Sequence, residues 1–545
     1  MSHFSFLPTN LSLPAAFALI PLYIIARIVY RLTWHPLATI PGPKFAAATT
    51  LYRAYYDVVC DGQWSEHLHA LHAQYGTASL NTPNIQQLLK VLSILGTVVR
   101  VGPNELHFSD PNAHADIYGT GSTFPKDQKM YRCFGSSKSV FGQTDFHHAQ
   151  KHRAALGPLF SRRATLKLEQ QLQRHVDNLI SRLLTYETTR KAADLHLALR
   201  SVTLDIVTSY CFGSCFNAVD YAGFSHPVAV SMDATLHLCW VFKHIPILRT
   251  LTDTCPEWLG LALMPATKGY YDQANQLGAQ IDEILDNPQI LANSEHDTMY
   301  HYFIEHQGQK HGLPGVKREE TQQMTKKEKA KMRLWLLHEG LNLRFAGSET
   351  VGNACTMAAF YLLRDEVVKK KLVDELVRAW PDVDESLGYE ELEKLPYLTA
   401  VIKEALRLSW GTVTPMPRVV GPTGGVVAGV AVPPGTTIAM GNTVLHRNPD
   451  VFPDPLHFSP ERWLQPDSAA TLDRYLVAFS KGPRACIGIN LAWCELYLIL
   501  GNLFRKLELT DDGHSSLKDL EFREYFIPLY RGHHLHAYVE KTRGQ

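Results

Sequence analysis

The sequence predicts a mainly helical protein preceded by an N-terminal membrane-spanning helix, and two patterns carry this prediction. Between residues 165 and 330, apolar residues recur at spacings of three and four, which places them on one face of a helix. Leu11 to Tyr30 is instead a nearly continuous apolar run. A helix of about 20 residues spans about 30 Å, which is the thickness of one bilayer core.

The composition is that of an ordinary globular protein. The 545 residues include 53 basic and 53 acidic side chains, so the net charge gives no support to nucleic-acid binding. The nine cysteines are scattered and odd in number, which argues against a disulfide framework and favours a reducing compartment.

The flanks of the apolar run predict its orientation. Arg27, Arg31 and Lys44 lie toward its C-terminal side and no Lys or Arg precedes it. The positive-inside rule therefore places the rest of the chain in the cytosol. A cleaved signal peptide and a buried helix are the alternatives, although the basic start and small-residue cleavage site of a signal peptide are missing.

A stiff spacer follows the apolar run. Pro36 and the sequence Ile40-Pro-Gly-Pro43 cannot continue a helix. We therefore divide the chain into an anchor at residues 1–31, a Pro-rich hinge at 32–44 and one main domain at 45–545, whose motifs are described below.

Residues 77–96 interrupt an otherwise continuous pattern. Tyr75-Gly76 followed directly by Thr97 to Pro103 would give a helix, a turn and the first strand of a sheet. We interpret the intervening segment as a retained intron or a gene-model error, with a natural surface-loop insertion as the alternative.

The chemistry of the chain centres on a cysteine in a glycine-bracketed turn. Gly482 and Gly488 flank Cys486 and would let the backbone approach a flat cofactor without a Cβ clash. Backbone N–H groups of such a turn can stabilise a thiolate bound to haem iron. Arg484 can neutralise a haem propionate, and Phe479 can pack under the ring. The alternative is an ordinary buried thiol in a Gly-rich turn.

This arrangement, F-x-x-G-x-R-x-C-x-G, resembles the haem-binding loop of the cytochrome P450 family at every defined position. The resemblance implies haem b (iron protoporphyrin IX) as the cofactor and Cys486 as the axial ligand of its iron. It also implies that Arg418 and Arg153 bind haem propionates. The tryptophan that precedes the latter arginine in the family falls here on Ala149.

A long helix is predicted from about Lys326 to Leu363, with Gly347 near its middle. Glycine in a helix interior costs about 1 kcal/mol relative to alanine, and a widened turn above the haem would explain its presence. Glu349 and Thr350 then supply an acid and a hydroxyl for proton delivery to dioxygen. The family pattern A/G-G-x-D/E-T-T/S is met except at its last position. A small-residue packing patch is the alternative.

Three further charged residues form a predicted structural triad. Glu404 and Arg407 are three residues apart and share a helix face, where they can pair. The alternative is a solvated surface pair, which would contribute only about a few tenths of a kcal/mol to stability. Resemblance to the family adds Arg462 from a downstream P-E-R sequence and implies a buried triad. A hairpin between Phe522 and Tyr538 is expected to touch substrate through its turn.

The resemblance extends over about residues 35 to 540 and implies one large, mainly helical domain with small sheets. This replaces the several domains that length alone would suggest. The sequences at 403–409 and 472–481 resemble microsomal P450s of filamentous-fungal secondary metabolism, such as trichodiene oxygenase-like enzymes. The implied activity is insertion of one oxygen atom of O2 into a small lipophilic substrate, a terpenoid or a polyketide. The alternatives are a haem-thiolate isomerase or dehydratase and a non-catalytic haem-binding protein.

Electrons must come from a separate protein because the chain has no flavin, nicotinamide or ferredoxin motif. The resemblance implies NADPH-cytochrome P450 reductase, with cytochrome b5 as an optional second donor. It also implies a single-pass protein of the endoplasmic reticulum membrane whose catalytic domain lies in the cytosol. Lys151, Arg162 and Lys481 are candidates for a basic surface that receives an acidic reductase.

Overall fold

The computed structural model of the protein describes residues 13–76, 97–306 and 325–541. Helices make up most of this part of the chain. In order they are α1 Leu13–Thr33, α2 Lys44–Ala48, α3 Leu51–Ala54, α4 Trp64–Gly76, α5 Pro111–Tyr118, α6 Gln128–Arg132, α7 Phe146–Leu156, α8 Arg162–Lys167, α9 Glu169–Thr189, α10 Leu195–Phe212, α11 Pro227–His244, α12 Pro246–Thr254, α13 Glu257–Leu263, α14 Lys268–Asp286, α15 Lys326–Leu362, α16 Glu366–Ala379, α17 Tyr389–Leu392, α18 Pro396–Leu408, α19 Asn442–His446, α20 Pro466–Tyr475 and α21 Ile489–Lys506.

Within the described ranges, the strands are short and form four small sheets. They are β1 Val98–Gly102, β2 Glu105–Phe108, β3 Ala193–Asp194, β4 Arg418–Val419, β5 Gly425–Val427, β6 Val430–Val432, β7 Thr437–Ala439, β8 Leu507–Asp511, β9 Phe522–Tyr525, β10 Ile527–Tyr530 and β11 His536–Lys541. One sheet has the order β1-β2-β7-β4, in which only the β2–β7 pair is parallel. The others are β3-β11-β8, β5-β6 and β9-β10, all antiparallel.

Helix α15 is the centre of the main hydrophobic core. It packs against α10, α14, α18 and α21. Helix α10 is buried along almost its whole length, as expected for a helix that is apolar on most sides. A capping box starts α15, in which Thr325 and Glu328 satisfy each other's backbone N–H groups. These helices fix the position of the residues at 345–350.

Several predicted elements are confirmed. The long helix predicted at Lys326 to Leu363 is α15, and the strand predicted after residue 97 is β1. The predicted C-terminal hairpin exists but is shorter, since β9 and β10 end it at Tyr530. Its last predicted strand, β11, pairs instead with β8 and β3. The prediction of one hairpin from 522 to 538 was therefore wrong in its second half.

The reason predicted for Gly347 was also wrong. The helix is α-helical through this position, without a widened turn. A Cβ on Gly347 would lie 2.3 Å from Cγ2 of Val207 on α10. The glycine is therefore required by the close approach of two core helices.

The N-terminal predictions have mixed outcomes. Helix α1 occupies the predicted anchor from Leu13 onward, with Pro21 inside it. In the three described ranges, however, no helix is both long enough and apolar enough to cross a membrane, so the predicted membrane-spanning helix is not found. The segment interpreted as a retained intron, 77–96, lies outside the described residues.

Candidate active site

A cavity of about 650 Å³ separates α15 from the loop that carries Cys486. Six of the predicted site residues line it: Thr350, Arg418, Phe479, Arg484, Cys486 and Gly488. Glu349, Arg153 and Gly482 are not among the lining residues. The loop and the middle of α15 thus meet at one space, as the motifs predict.

The turn around Cys486 is held by its own backbone. The Cys486 N–H donates to the Phe479 carbonyl over 2.8 Å, and the Ala485 N–H donates to the Gly482 carbonyl over 3.0 Å. The side chain of Cys486 is exposed to the cavity. Burial within the protein raises the pKa of this thiol, while the Gly488 N–H and the positive charge of Arg153 oppose the rise.

The two glycine positions of the turn differ in whether another residue could replace the glycine. Gly482 has φ +66°, and a Cβ there would lie 2.5 Å from the Tyr118 carbonyl oxygen. Gly488 is the N-cap residue of α21 with φ −85°, and its Cβ would meet nothing closer than Phe160 at 3.9 Å. Only Gly482 is therefore demanded by the backbone and its neighbours.

Two arginines of the site bind backbone carbonyls around the loop. Arg153 on α7 donates to the Ala485 carbonyl over 2.6 Å. Arg484 donates to the carbonyls of Gln143 and Asp145 at 3.1 and 3.3 Å. Burial, and then repulsion by Arg418, lowers the pKa of Arg484 to about 10. These bonds tie the cysteine loop to the start of α7.

Arg418 and Lys126 are brought together by strand pairing. Lys126 forms an isolated antiparallel bridge with Arg418, so the two residues are direct neighbours. Arg418 donates to the Tyr131 hydroxyl over 3.1 Å, and the buried Lys126 ammonium donates to the Phe141 carbonyl. Burial, with repulsion by nearby arginines, holds the pKa of Lys126 well below its usual value. Lys126 was not predicted from the sequence.

This group of cations fits the two propionates of haem. In the described part of the chain, Lys126, Arg418 and Arg484 line the cavity and none of them forms an ion pair with a carboxylate. Buried charges are normally paired, so an unneutralised group of this kind fits a dianionic ligand. A thiol that faces the same cavity and accepts a backbone N–H fits an axial iron ligand.

Glu349 and Thr350 point in different directions. The Thr350 hydroxyl faces the cavity and donates to the Ala346 carbonyl over 2.9 Å. Glu349 is buried against α10, where Arg200 Nη2 lies 2.6 Å from its Oε1. Arg200 also binds both carboxylate oxygens of Asp233 on α11, at 2.9 and 3.0 Å. The expected acid is therefore beside the cavity wall and does not form part of it.

The three charged residues of the predicted triad lie together; Glu404 and Arg407 are fully buried, and the Arg462 side chain is 10% exposed. Glu404 Oε1 is 2.7 Å from Arg407 Nη2 and 3.1 Å from Arg462 Nε. The Ser459 N–H and the Trp463 indole N–H complete the carboxylate's hydrogen bonds, each at 2.9 Å. Burial alone would raise the pKa of Glu404, but Arg407 and then Arg462 outweigh it and hold that pKa below its usual value. The triad is thus a fully hydrogen-bonded charge network.

Comparison with known proteins settles the family. The family model described as Cytochrome P450 matches residues 97–529. The chain is a cytochrome P450. It therefore uses haem b and is a haem-thiolate monooxygenase, which confirms the class and the cofactor predicted from the sequence.

Curated relatives of this P450 are similar along nearly their whole length. The cytochrome P450 monooxygenase MO6277 of Ascocoryne sarcoides is 32% identical over 93% of this chain and 94% of its own. The N-acetyltryptophan 6-hydroxylase ivoC of Emericella nidulans is 31% identical, with 93% of each chain covered. The conidiogenone synthase PchP450 of Penicillium rubens is 30% identical over 96% of this chain and 98% of its own. This P450 therefore resembles fungal enzymes, as predicted.

Proposed function

We propose that Cys486 is the axial thiolate ligand of haem iron in this monooxygenase. The observation that carries the proposal is that its sulfur and the Thr350 hydroxyl open into one cavity from opposite elements. When bound, haem supplies an iron centre that activates dioxygen. One oxygen atom enters the substrate and the other leaves as water, with two electrons from NADPH and two protons.

The protein groups that hold the cofactor follow from the same cavity. Arg418 and Arg484, with Lys126 beside them, would bind the propionates of haem. Arg153 stabilises the cysteine loop by donating a hydrogen bond to the Ala485 carbonyl. Phe479, which also lines the cavity, packs against the porphyrin.

The remaining site residues position the loop or handle protons. Gly482 gives the turn its left-handed backbone, and Gly488 directs its N–H at the sulfur. Thr350 donates and accepts a proton at the cavity surface, and Glu349 is the acid that restores it from the protein interior. The Glu404–Arg407–Arg462 triad has no chemical role and holds the structure beneath the site.

The substrate is a small lipophilic molecule of secondary metabolism, of the terpenoid or polyketide type. Aromatic side chains such as Phe134, Phe141 and Phe526 line one wall of the cavity, which favours a substrate with an apolar body. Relatives named for N-acetyltryptophan hydroxylation and for conidiogenone synthesis support a role in fungal specialised chemistry.

The electron donor is NADPH-cytochrome P450 reductase, with cytochrome b5 as an optional second donor. Of the basic residues suggested for its docking surface, Arg162 is paired with Glu393 and Glu390. Lys151 and Lys481 remain the better candidates. Charge reversal at Lys481 should slow the reduction of this protein by its reductase and weaken the salt dependence of that rate. An unchanged rate and salt dependence would contradict this surface.

The chain is placed at the cytosolic face of the endoplasmic reticulum by an anchor at 1–31 and a hinge at 32–44, followed by the catalytic domain at 45–545. Support comes from the exposed large apolar side chains of α1, among them Ile20 and Ile25. Residues 77–96 are proposed not to belong to the mature protein, and the family match begins directly after them, at residue 97. A transcript that encodes the whole segment would refute that part.

A carbon-monoxide difference spectrum of the full chain tests the haem ligand. The native protein should give the thiolate signature, and Cys486→His should lose it while still binding haem. Cys494→Ser, a change at a buried thiol on α21, is the matched control and should keep the signature. A thiolate signature in Cys486→His would overturn the assignment. Product formed without NADPH, reductase and dioxygen would favour the isomerase or dehydratase alternative.

A further inference from the structure

The cavity has a polar end that lies away from the cysteine loop. It is built by side chains of α12, α14 and α15. The polar lining residues contributed by these helices are Arg249, Thr252, Asp253, Tyr270, Tyr271, Gln273, His338 and Asn342. None of them is used in binding haem or in proton transfer as derived above.

An aromatic cluster forms the apolar wall of the same cavity. Phe134, Phe141 and Phe526 contact one another edge to face, with ring centroids 5.1 to 5.5 Å apart. All three line the cavity, and Phe526 comes from the turn between β9 and β10. A ligand in this space therefore has an aromatic surface against its body.

Arg249 is the principal cation of the polar end. Its side chain is only 20% exposed, and its Nε is buried without a hydrogen-bond partner in the described residues. Its Nη2 pairs with Asp253 at 2.5 Å, and the Tyr270 hydroxyl also faces it. Burial opposes its charge, but Tyr270 and Asp253 outweigh burial and keep the pKa of Arg249 above its usual value. The guanidinium is therefore charged, and Arg249 lines the cavity.

The chain keeps space for this guanidinium. Gly135 has φ +70°, and a Cβ on it would lie 2.1 Å from Arg249 Nη2. Any other residue at position 135 would displace the arginine or strain the backbone. Arg249 also lies over the Phe242 ring at 5.4 Å, which fixes its plane.

We propose that Arg249 binds the carboxylate of a substrate whose apolar body packs against Phe134, Phe141 and Phe526. This inference rests on the proposed function, since it takes the cavity to be the substrate site. Asp253 does not prevent such binding. Its side chain is 53% exposed, so its pairing with Arg249 is screened by water. A carboxylate inside the cavity would meet the guanidinium atoms that line it, where low exposure to water strengthens charge-assisted bonds.

Binding of matched acids and esters tests the proposal. The probes are dodecanoate and 1-naphthylacetate, each beside its methyl ester, added to haem-loaded full-length protein and followed by calorimetry. Arg249→Met should raise the Kd of the acids at least about tenfold relative to the esters. Gly135→Ala should act in the same direction by displacing the guanidinium, and Asp253→Asn should lower the Kd of the acids.

Lys268→Met is the control, because Lys268 is an exposed cation paired with Asp272 and should leave every Kd unchanged. An equal loss for acids and esters in Arg249→Met would mean a structural role and would overturn the proposal. So would the absence of any effect of Arg249→Met on both acids. Failure of the proposed function would appear separately, as loss of the thiolate signature in the carbon-monoxide spectrum of the native protein.

Discussion

Arg200 Nη2 lies 2.6 Å from Glu349 Oε1, and both side chains are buried. Burial raises the pKa of Glu349, the charge of Arg200 opposes the rise, and that of Asp233 adds to it. The protonation of the expected relay acid is thus set by α10 and α11 and not by groups in the cavity. This arrangement makes Arg200 a positioning residue with a measurable effect.

Arg200→Met should shift the pH dependence of coupling, meaning product formed per NADPH consumed. Without the guanidinium, the pKa of Glu349 rises further, so the carboxyl remains protonated to higher pH. We therefore expect efficient coupling to persist to higher pH than in the native enzyme. Arg200→Lys retains the charge and should shift the profile less. Identical profiles for all three proteins would show that Glu349 does not supply the proton.

Thr350→Ala should increase NADPH consumption without product. The hydroxyl faces the cavity, so its loss would remove the proton donor proposed above. Thr356→Ala is the matched control, because Thr356 makes the same bond to its own helix at 2.8 Å but is not a lining residue. The comparison is the product-to-NADPH ratio of the two variants. Equal coupling in both would contradict the role of Thr350.

Arg407→Ala should destabilise the protein by about 3–5 kcal/mol, since it leaves the Glu404 carboxylate buried without its main partner. The pKa of Glu404 is lowered on folding, so the triad's contribution is fully present above the ordinary glutamate pKa. It is lost as pH falls through the lower folded value. The native protein should therefore lose stability as the pH falls from the ordinary glutamate pKa through the lower pKa of the folded state. The variant should lose less over the same pH interval.

Urea unfolding at several pH values measures this difference. Lys403→Ala is the control on the same helix, because Lys403 forms a partly exposed pair with Asp473. Its cost should remain below about 1 kcal/mol at every pH. A similar cost for the two variants would mean that the triad is no stronger than a surface pair.

The motifs around Cys486 and Thr350 were readable from the sequence because their spacing is local. A turn of a few residues determines which side chains lie together, and Cys486 and Thr350 both line one cavity. The Glu404–Arg407 pair was readable for the same reason, as both lie on one helix face.

The residues that were missed depend on long-range packing. Lys126 reaches the site only because it pairs with Arg418, and Arg200 reaches Glu349 only because α10 packs on α15. Neither lies in a local pattern that a single sequence displays. Gly347 was noticed for the right reason, its cost in a helix, but its cause is contact with Val207.

Gly347→Ala should destabilise the protein by about 1–3 kcal/mol through overpacking. The added methyl would lie 2.3 Å from Val207 Cγ2, and both helices are held by the core. Val207→Ala removes the opposing methyl groups, so adding it to Gly347→Ala should restore part of the loss. Gly121→Ala, with nothing within 4 Å of its Cβ, is the control and should change little. Thermal unfolding of the native protein, Gly347→Ala, the double variant and Gly121→Ala measures these differences. If adding Val207→Ala restores no stability to Gly347→Ala, the proposed contact is contradicted.

Lys126→Met should have opposite effects on the haem-free and haem-loaded proteins. In the haem-free protein, burial and repulsion by Arg484 and Arg418 disfavour the charged form of Lys126, so its removal should raise stability. In the loaded protein, the same ammonium would bind a propionate, so its removal should speed haem release at least about tenfold.

Urea unfolding of the haem-free form and haem transfer to apomyoglobin measure the two effects. Lys129→Met, at an exposed position on α6, should alter neither. Because a merely structural lysine would affect both forms in the same direction, opposite signs can arise only if a bound anion reverses the electrostatic balance. Destabilisation of both forms would therefore show that Lys126 does not bind a haem propionate.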